Sequence, residues 1–141
     1  MNKHVQVALL LTGNELMSGD TVDSNSSRIA LALGAHKIGV GKKITVGDDP
    51  TLLTDSLLDL CASAEVVIIN GGLGPTEDDL TAELVAEVAG QALVNHPSAI
   101  EHLQEWCERR GLELNASNLK QALLPEGCLL YTSDAADDQA C

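Results

Sequence analysis

The segment Asn70-Gly71-Gly72-Leu73-Gly74-Pro75-Thr76-Glu77-Asp78-Asp79-Leu80-Thr81 combines two kinds of chemistry in one stretch. Glycines let the main chain approach an anion closely, and the first amides of a helix have no internal acceptors and point outwards. Gly71, Gly72, Gly74 and Thr76 are therefore candidate contacts to a phosphate. Three carboxylates, Glu77, Asp78 and Asp79, follow at once. Negative charge beside a bound phosphate is unfavourable unless a cation lies between them or the carboxylate takes part in the reaction. The pattern points to a phosphate loop with an acidic edge, where Asp78 and Asp79 are candidate ligands of a divalent metal ion and Asp79 a candidate catalytic group. Thr76 and Asp79 also have the spacing of a capping box, a hydroxyl followed three positions on by an acid. The sequence leaves both roles open for Asp79, and Glu77 and Asp78 also suit a helix dipole as first-turn acids.

A second acidic site precedes Pro50. Asp49 is a catalytic candidate, but Asp at a helix cap with Pro at the first position is also a favoured pair. Asp48 has no capping role, although Gly-Asp-Asp-Pro is an ordinary turn composition. Thr12, Gly13 and Glu15 follow the first strand, and Asn25 opens a helix from which it could reach a ribose or a metal. Lys120 and Arg28 are the nearest candidates for phosphate cations. His36, His96 and His102 read as exposed, and no Ser-His-Asp or Cys-His order supports nucleophilic catalysis. Cys61 and Cys107 read as buried free thiols, since no CxxC spacing suggests zinc or a redox pair.

The elements that must position these groups alternate. Val5 to Leu11 reads as a strand, Thr12 to Glu15 as a turn, and Asp23 or Ser24 as the cap of a helix ended by Gly34. Lys42 to Val46 is a second strand. A helix from Asp49-Pro50 carries the apolar stripe Leu52, Leu53, Leu57, Leu60 and Cys61. Val66 to Ile69 is a third strand, followed by the glycine loop and a helix to Ala89 that Gly90 stops. Ala92 to Val94 reads as a short edge strand, Ser98 to Arg110 as an amphipathic helix with Ile100, Leu103, Trp106 and Cys107 inward, and Asn118 to Leu123 as a last short helix. Such alternation predicts an α/β fold, three layers with a mostly parallel sheet, with ligands at the carboxyl ends of the strands. The loops after all three strands can then meet at one end.

Composition bounds the rest. The 141 residues include no Phe and 1% aromatic residues, so Leu, Val, Ile and Ala must build the core. A formal net charge of -13 argues against nucleic acid or an anionic membrane as a general partner. Asn2-Lys3-His4 leads straight into a strand and no apolar run reaches membrane length, which predicts a cytoplasmic protein without a signal peptide. Cys128 to Asp138 reads as the conceptual translation of a transposase adaptor used in sequencing libraries. The expectation is a domain over residues 1–127, incomplete at its carboxyl end, with residues 128–141 foreign to it.

Taken together, the Thr12-Gly13-Asn14-Glu15 segment, Gly19, Asp23-Ser24-Asn25, Gly47-Asp48-Asp49, the glycine loop through Thr81, and Ser117-Asn118-Leu119-Lys120-Gln121-Ala122 with Pro125 and Gly127 resemble the amino-terminal domain of the CinA (competence/damage-inducible) family. That domain belongs to the molybdopterin-binding superfamily of MoaB and Mog. The resemblance implies a molybdopterin-binding-like fold, a homo-oligomer, and metal-dependent hydrolysis of a small nucleotide substrate, ADP-ribose, to AMP and ribose 5-phosphate. Superfamily members that adenylylate molybdopterin carry Gly-Gly-Thr-Gly followed by Arg-Asp. This chain has Leu73 and Asp78-Asp79 instead, so molybdopterin as a ligand is the alternative reading, and a binding module without chemistry is a third. In the family, Gly-Thr and Pro-Gly loops that help close the site follow soon after the position of Gly127. The carboxyl-terminal amidohydrolase domain of many CinA proteins has no counterpart in these residues.

Overall fold

A computed structural model describes residues 4–131. Residues 132–141 of the segment read as foreign lie outside that range. In chain order the elements are β1 (Val7–Thr12), α1 (Asn14–Ser18), α2 (Asn25–Ala35), β2 (Val40–Val46), α3 (Pro50–Ser63), β3 (Val66–Asn70) and α4 (Thr81–Ala89). Then come β4 (Leu93–Asn95), α5 (Pro97–Arg110), α6 (Ala116–Leu119), a 3₁₀ turn over Lys120–Ala122, and β5 (Leu123–Pro125).

β1 is buried at all six positions because strands flank it on both sides and side chains cover both of its faces. That is why it reads as an unbroken apolar run rather than an alternating one. β2 and β3 both pair with it in parallel, in the order β2-β1-β3. Ala8 and Leu10 face a core shared with Leu53, Leu57 and Leu60 of α3 and Leu84 of α4. β4 and β5 form a separate antiparallel pair. The connection from β1 runs to β2 on one side, and the connection from β2 returns past β1 to β3 on the other, so the strand order reverses and a crevice opens at the carboxyl ends of β1 and β3. The protein is thus α/β with a mostly parallel sheet, as expected. Among the described residues no helix is long and apolar enough to cross a membrane.

Several local expectations shift. The turn after β1 continues into the short helix α1. Gly34 does not end α2, which runs to Ala35; the left-handed turn falls at Lys37, φ 61°. The expected last helix divides into α6, the 3₁₀ turn and β5, since Leu123 to Pro125 is drawn into pairing with β4, a contact between residues far apart in sequence. The buried stripe of α3 is Leu53, Leu57 and Leu60, which leaves Leu52 and Cys61 exposed. Of the two thiols read as buried, only Cys107 is. Beside it on α5, Ala99 is buried, whereas Ile100, Leu103 and Trp106 are only partly so. His96 and His102 are also partly buried rather than exposed.

Candidate functional site

The glycine loop leaves β3 at the crevice and folds back onto its neighbours. Gly71 (φ 109°) and Gly72 (φ 69°) both take conformations that L side chains rarely adopt. A Cβ on Gly71 would strike the main-chain oxygen of Thr12, and one on Gly72 would strike the Thr81 hydroxyl. Thr81, buried at the start of α4, stitches the loop down: its Oγ1 donates to the Gly71 carbonyl (2.7 Å) and its amide to the Gly72 carbonyl (3.1 Å). The glycines therefore have packing reasons of their own, against the end of β1 and the start of α4.

The acidic half of the loop is a self-contained turn ahead of the helix. The Thr76 amide and hydroxyl both donate to Asp79 Oδ2, at 2.9 and 2.6 Å, and the Asp79 amide donates back to the Thr76 carbonyl (3.2 Å). Only half of a capping box is present: the Asp79 carboxylate takes the Thr76 amide, but the Asp79 amide goes to the Thr76 carbonyl and not to its hydroxyl, and α4 begins only at Thr81, with Leu80 at its cap. The Thr76 hydroxyl holds the Asp79 carboxyl below its ordinary 3.8, helped by the amides of Thr76 and Gly74 and by the charge of Lys120, and opposed by partial burial. Lys120 reaches the turn from 41 residues along the chain and donates to the carbonyls of Asp79 (2.7 Å) and Thr76. Glu77 and Asp78 stand exposed.

The loop after β1 is locked to the loop after β2. Thr12 Oγ1 and the Asn14 amide donate to Asp48 (3.1 and 3.2 Å), and the Asp48 amide donates to Asn14 Oδ1 (2.9 Å). The Gly13 amide donates to the Val46 carbonyl (3.1 Å), and the Glu15 carboxylate folds over Gly13. Asn25 Nδ2 donates to Asn70 Oδ1 (3.0 Å), joining the start of α2 to the end of β3. Asp23, ahead of it, accepts from the amide and hydroxyl of Ser26, which with Lys43 lowers its pKa from 3.8.

Thr12, Gly13 and Glu15 thus follow β1, and Gly71, Gly72, Gly74, Thr76, Asp78 and Asp79 follow β3. Gly71 packs on Thr12 and Asn25 is tied to Asn70 at the end of β3, while the Thr76–Asp79 turn is held by its own bonds and by Lys120. Asp49 is directed elsewhere, since its Oδ1 accepts from the Leu52 amide (2.9 Å) and caps α3. Arg28 is exposed on α2. Two residues carry more of the site than their sequence context suggested: Asp48, whose signal was an acid just past a strand with no helix to cap, and Thr81, a hydroxyl on the apolar stripe of α4.

Beside the loop lies a cavity of about 70 Å³ lined by Gly72, Gly74, Asp79, Glu83, Lys120 and Gln121 and, on its apolar side, by Leu73, Ala82, Leu93, Leu123 and Leu124. Its size admits one small group, being far below the ~300–1,000 Å³ of pockets for drug-sized ligands. The amides of Gly72 and Leu73 have no acceptor among the described residues. Nor do three His, Cys, Asp or Glu side chains gather among those residues to hold a metal ion by themselves.

Residues 8–130 match the family described as "Probable molybdopterin binding domain". A CinA-like protein of Colwellia psychrerythraea is 52% identical over 128 residues, 91% of this chain and 30% of that protein. One from Citrifermentans bemidjiense is 44% identical over 126 residues, 89% of this chain and again 30% of the relative. The chain thus spans about 30% of the length of these curated relatives. The crystal structure of the protein CinA with unknown function from Thermoplasma acidophilum is similar with a TM-score of 0.78 and 30% identity, over 89% of this chain and 73% of that one. The molybdopterin biosynthesis enzyme MoaB from Thermus thermophilus is similar at a TM-score of 0.57 and 19% identity, over 84% and 70% of the two chains, a likeness of fold.

Proposed function

The chain belongs to the molybdopterin-binding domain family and, within it, to the CinA proteins, and on that basis we propose that it grips the pyrophosphate of an ADP-ribose-type nucleotide and hydrolyses it. The observation that carries this reading is the meeting of the β1 and β3 loops at the crevice, with the Gly72 and Leu73 amides free to donate. Main-chain donors at a glycine turn suit a phosphate oxygen, and Lys120 behind the turn offsets the charge of the acids. Thr12, Gly13, Glu15 and Asn25, on the β1 side of the crevice and outside the loop cavity, are the further contacts in this reading. The substrate leaves as AMP and ribose 5-phosphate. A cytoplasmic location and a homo-oligomeric assembly go with this reading.

A divalent ion is part of the proposal. Asp78 is exposed, and Asp79, which accepts from Thr76 and from the Gly74 amide, would share its carboxylate with such an ion. One or two carboxylates plus substrate phosphates are a donor set that Mg²⁺ favours, so these residues fit an ion shared with the substrate and not one caged by protein. Such an ion would screen the acids from the pyrophosphate and polarise its P–O bonds. Asp49 holds the Leu52 amide through Oδ1 and serves as the cap of α3.

The description of the matched family supports molybdopterin binding as the second reading, with adenylyl transfer as the chemistry to test for it. The complete protein should be incubated with ADP-ribose and Mg²⁺, and separately with molybdopterin and ATP, with products separated by chromatography. AMP and ribose 5-phosphate in the first mixture are expected. ATP consumption in the second, with ADP-ribose intact, would reverse the assignment. Binding without turnover in either would leave a ligand-binding module.

A further inference from the structure

The loop cavity of about 70 Å³ has room for one small group, so most of a bound nucleotide must lie outside it. One larger cavity adjoins it, about 520 Å³, within the range of small-molecule pockets. The two are linked by Gln121, which lines both, and by Pro75, the residue after Gly74, which lines the larger. Trp106, partly buried on α5, lines it, with His102 one turn before it. The Arg110 guanidinium stacks over the indole, 4.5 Å from the ring centroid, which fixes the orientation of the ring. Asn118 and Gln121 add carboxamides, each with donors and an acceptor. Leu130, from the segment read as foreign, edges the cavity and brings no polar group.

A planar aromatic ring with carboxamides beside it is the chemistry that holds a nucleobase: the π-face stacks and the amides reach its polar edge. We propose that this cavity is the base subsite of the nucleotide whose phosphates sit on the glycine loop, with Trp106 as its stacking platform. The proposal rests on the nucleotide reading above and adds the part of the ligand that the loop cannot hold. It also gives α5 and Asn118 a role that the phosphate site leaves unexplained.

Trp106 is the only tryptophan in the chain, so its emission reports on this cavity alone if the complete protein has no other or if others are replaced by Phe. The complete protein should be titrated with AMP, ribose 5-phosphate and inorganic pyrophosphate, with ADP-ribose turnover measured on the same sample. AMP is expected to quench Trp106. Ribose 5-phosphate and pyrophosphate should compete with AMP and leave the emission unchanged. Trp106→Leu should weaken AMP binding by about tenfold in equilibrium dialysis while pyrophosphate affinity holds, and Trp106→Phe should restore most of the loss. AMP binding no tighter than ribose 5-phosphate, with silent emission, would overturn the base subsite, as would an unchanged AMP affinity in Trp106→Leu. Turnover with a silent Trp106 removes the subsite and leaves the hydrolase. Quenching by AMP without turnover keeps the subsite and removes the hydrolase.

Discussion

Two loops of this protein use the same residues to different ends. Gly47-Asp48-Asp49 follows β2, and Gly74 to Asp79 follows β3; each sets paired aspartates shortly after glycine at the same edge of the sheet. In the first, both carboxylates are taken up by neighbouring structure, Asp48 by Thr12 and Asn14, and Asp49 by the first turn of α3. In the second, Asp79 closes on its own turn, Lys120 supports the carbonyls from behind, and Asp78 is exposed. The first loop is a joint between elements. The second is a shaped surface with main-chain donors to spare. Acid content does not separate them. What does is whether the surrounding elements supply donors for every carboxylate.

The largest expected effect tests how rigid each loop is. In Gly71→Ala the new methyl meets the main-chain oxygen of Thr12, which cannot yield without moving β1, and φ 109° is strained for alanine. We expect a loss of roughly 3 kcal/mol in urea unfolding, with loss of anion binding. In Gly47→Ala the methyl meets the Asn14 side chain, at 2.6 Å from Oδ1, and that side chain can rotate away. The cost should be about 1 kcal/mol, the worth of the hydrogen bond to the Asp48 amide. Equal losses would mean the joint is as unyielding as the receptor.

How much of this was visible in the sequence follows the range of the interactions. The strand runs were readable because β1 is buried on both faces and has no alternation to blur. Asp49-Pro50 announced α3 because a cap and its helix are adjacent in sequence. The glycine loop declared itself by composition. By contrast, β5 depends on pairing with β4, and the grip of Lys120 on Thr76 and Asp79 spans 44 and 41 residues, so neither leaves a local pattern. Asp48 was hidden because its partners, Thr12 and Asn14, come from another loop. Exposure of Cys61 was missed because it continues the helical spacing of Leu53, Leu57 and Leu60 just past the face that the sheet covers.

The middle effect separates architecture from chemistry. Asp49→Ala removes the acceptor for the Leu52 amide, so about 1 kcal/mol of stability should go while ADP-ribose turnover is unchanged. Asp78→Asn should do the reverse. Stability should stay within about 0.5 kcal/mol, as for an exposed position, while turnover with Mg²⁺ falls by about tenfold or more. Thermal unfolding and initial rates on both variants check the pair. A turnover loss in Asp49→Ala would make the β2 loop part of the reaction and erase the contrast.

The smallest effect is the most selective, because it reads a single carboxyl. Asp79 is held below its ordinary 3.8 chiefly by the Thr76 hydroxyl, and least by Lys120. Thr76→Val removes that donor but keeps the Thr76 amide, so the Asp79 pKa should rise towards 3.8 in a carboxyl-detected NMR titration. Lys120→Met should raise it by less, although it frees two carbonyls. The sign of the stability effect follows from linkage. A carboxyl whose folded pKa lies below its unfolded one stabilises the protein fully above the unfolded value, and that contribution disappears as pH falls through the folded value. The difference between wild type and Thr76→Val due to this charge should therefore be present at neutral pH and shrink below about pH 3.8. A larger shift in Lys120→Met than in Thr76→Val would mean that the lysine charge, and not the turn, sets the state of Asp79. The β3 loop would then be an ion-pair site, and its likeness to a capping turn only one of form.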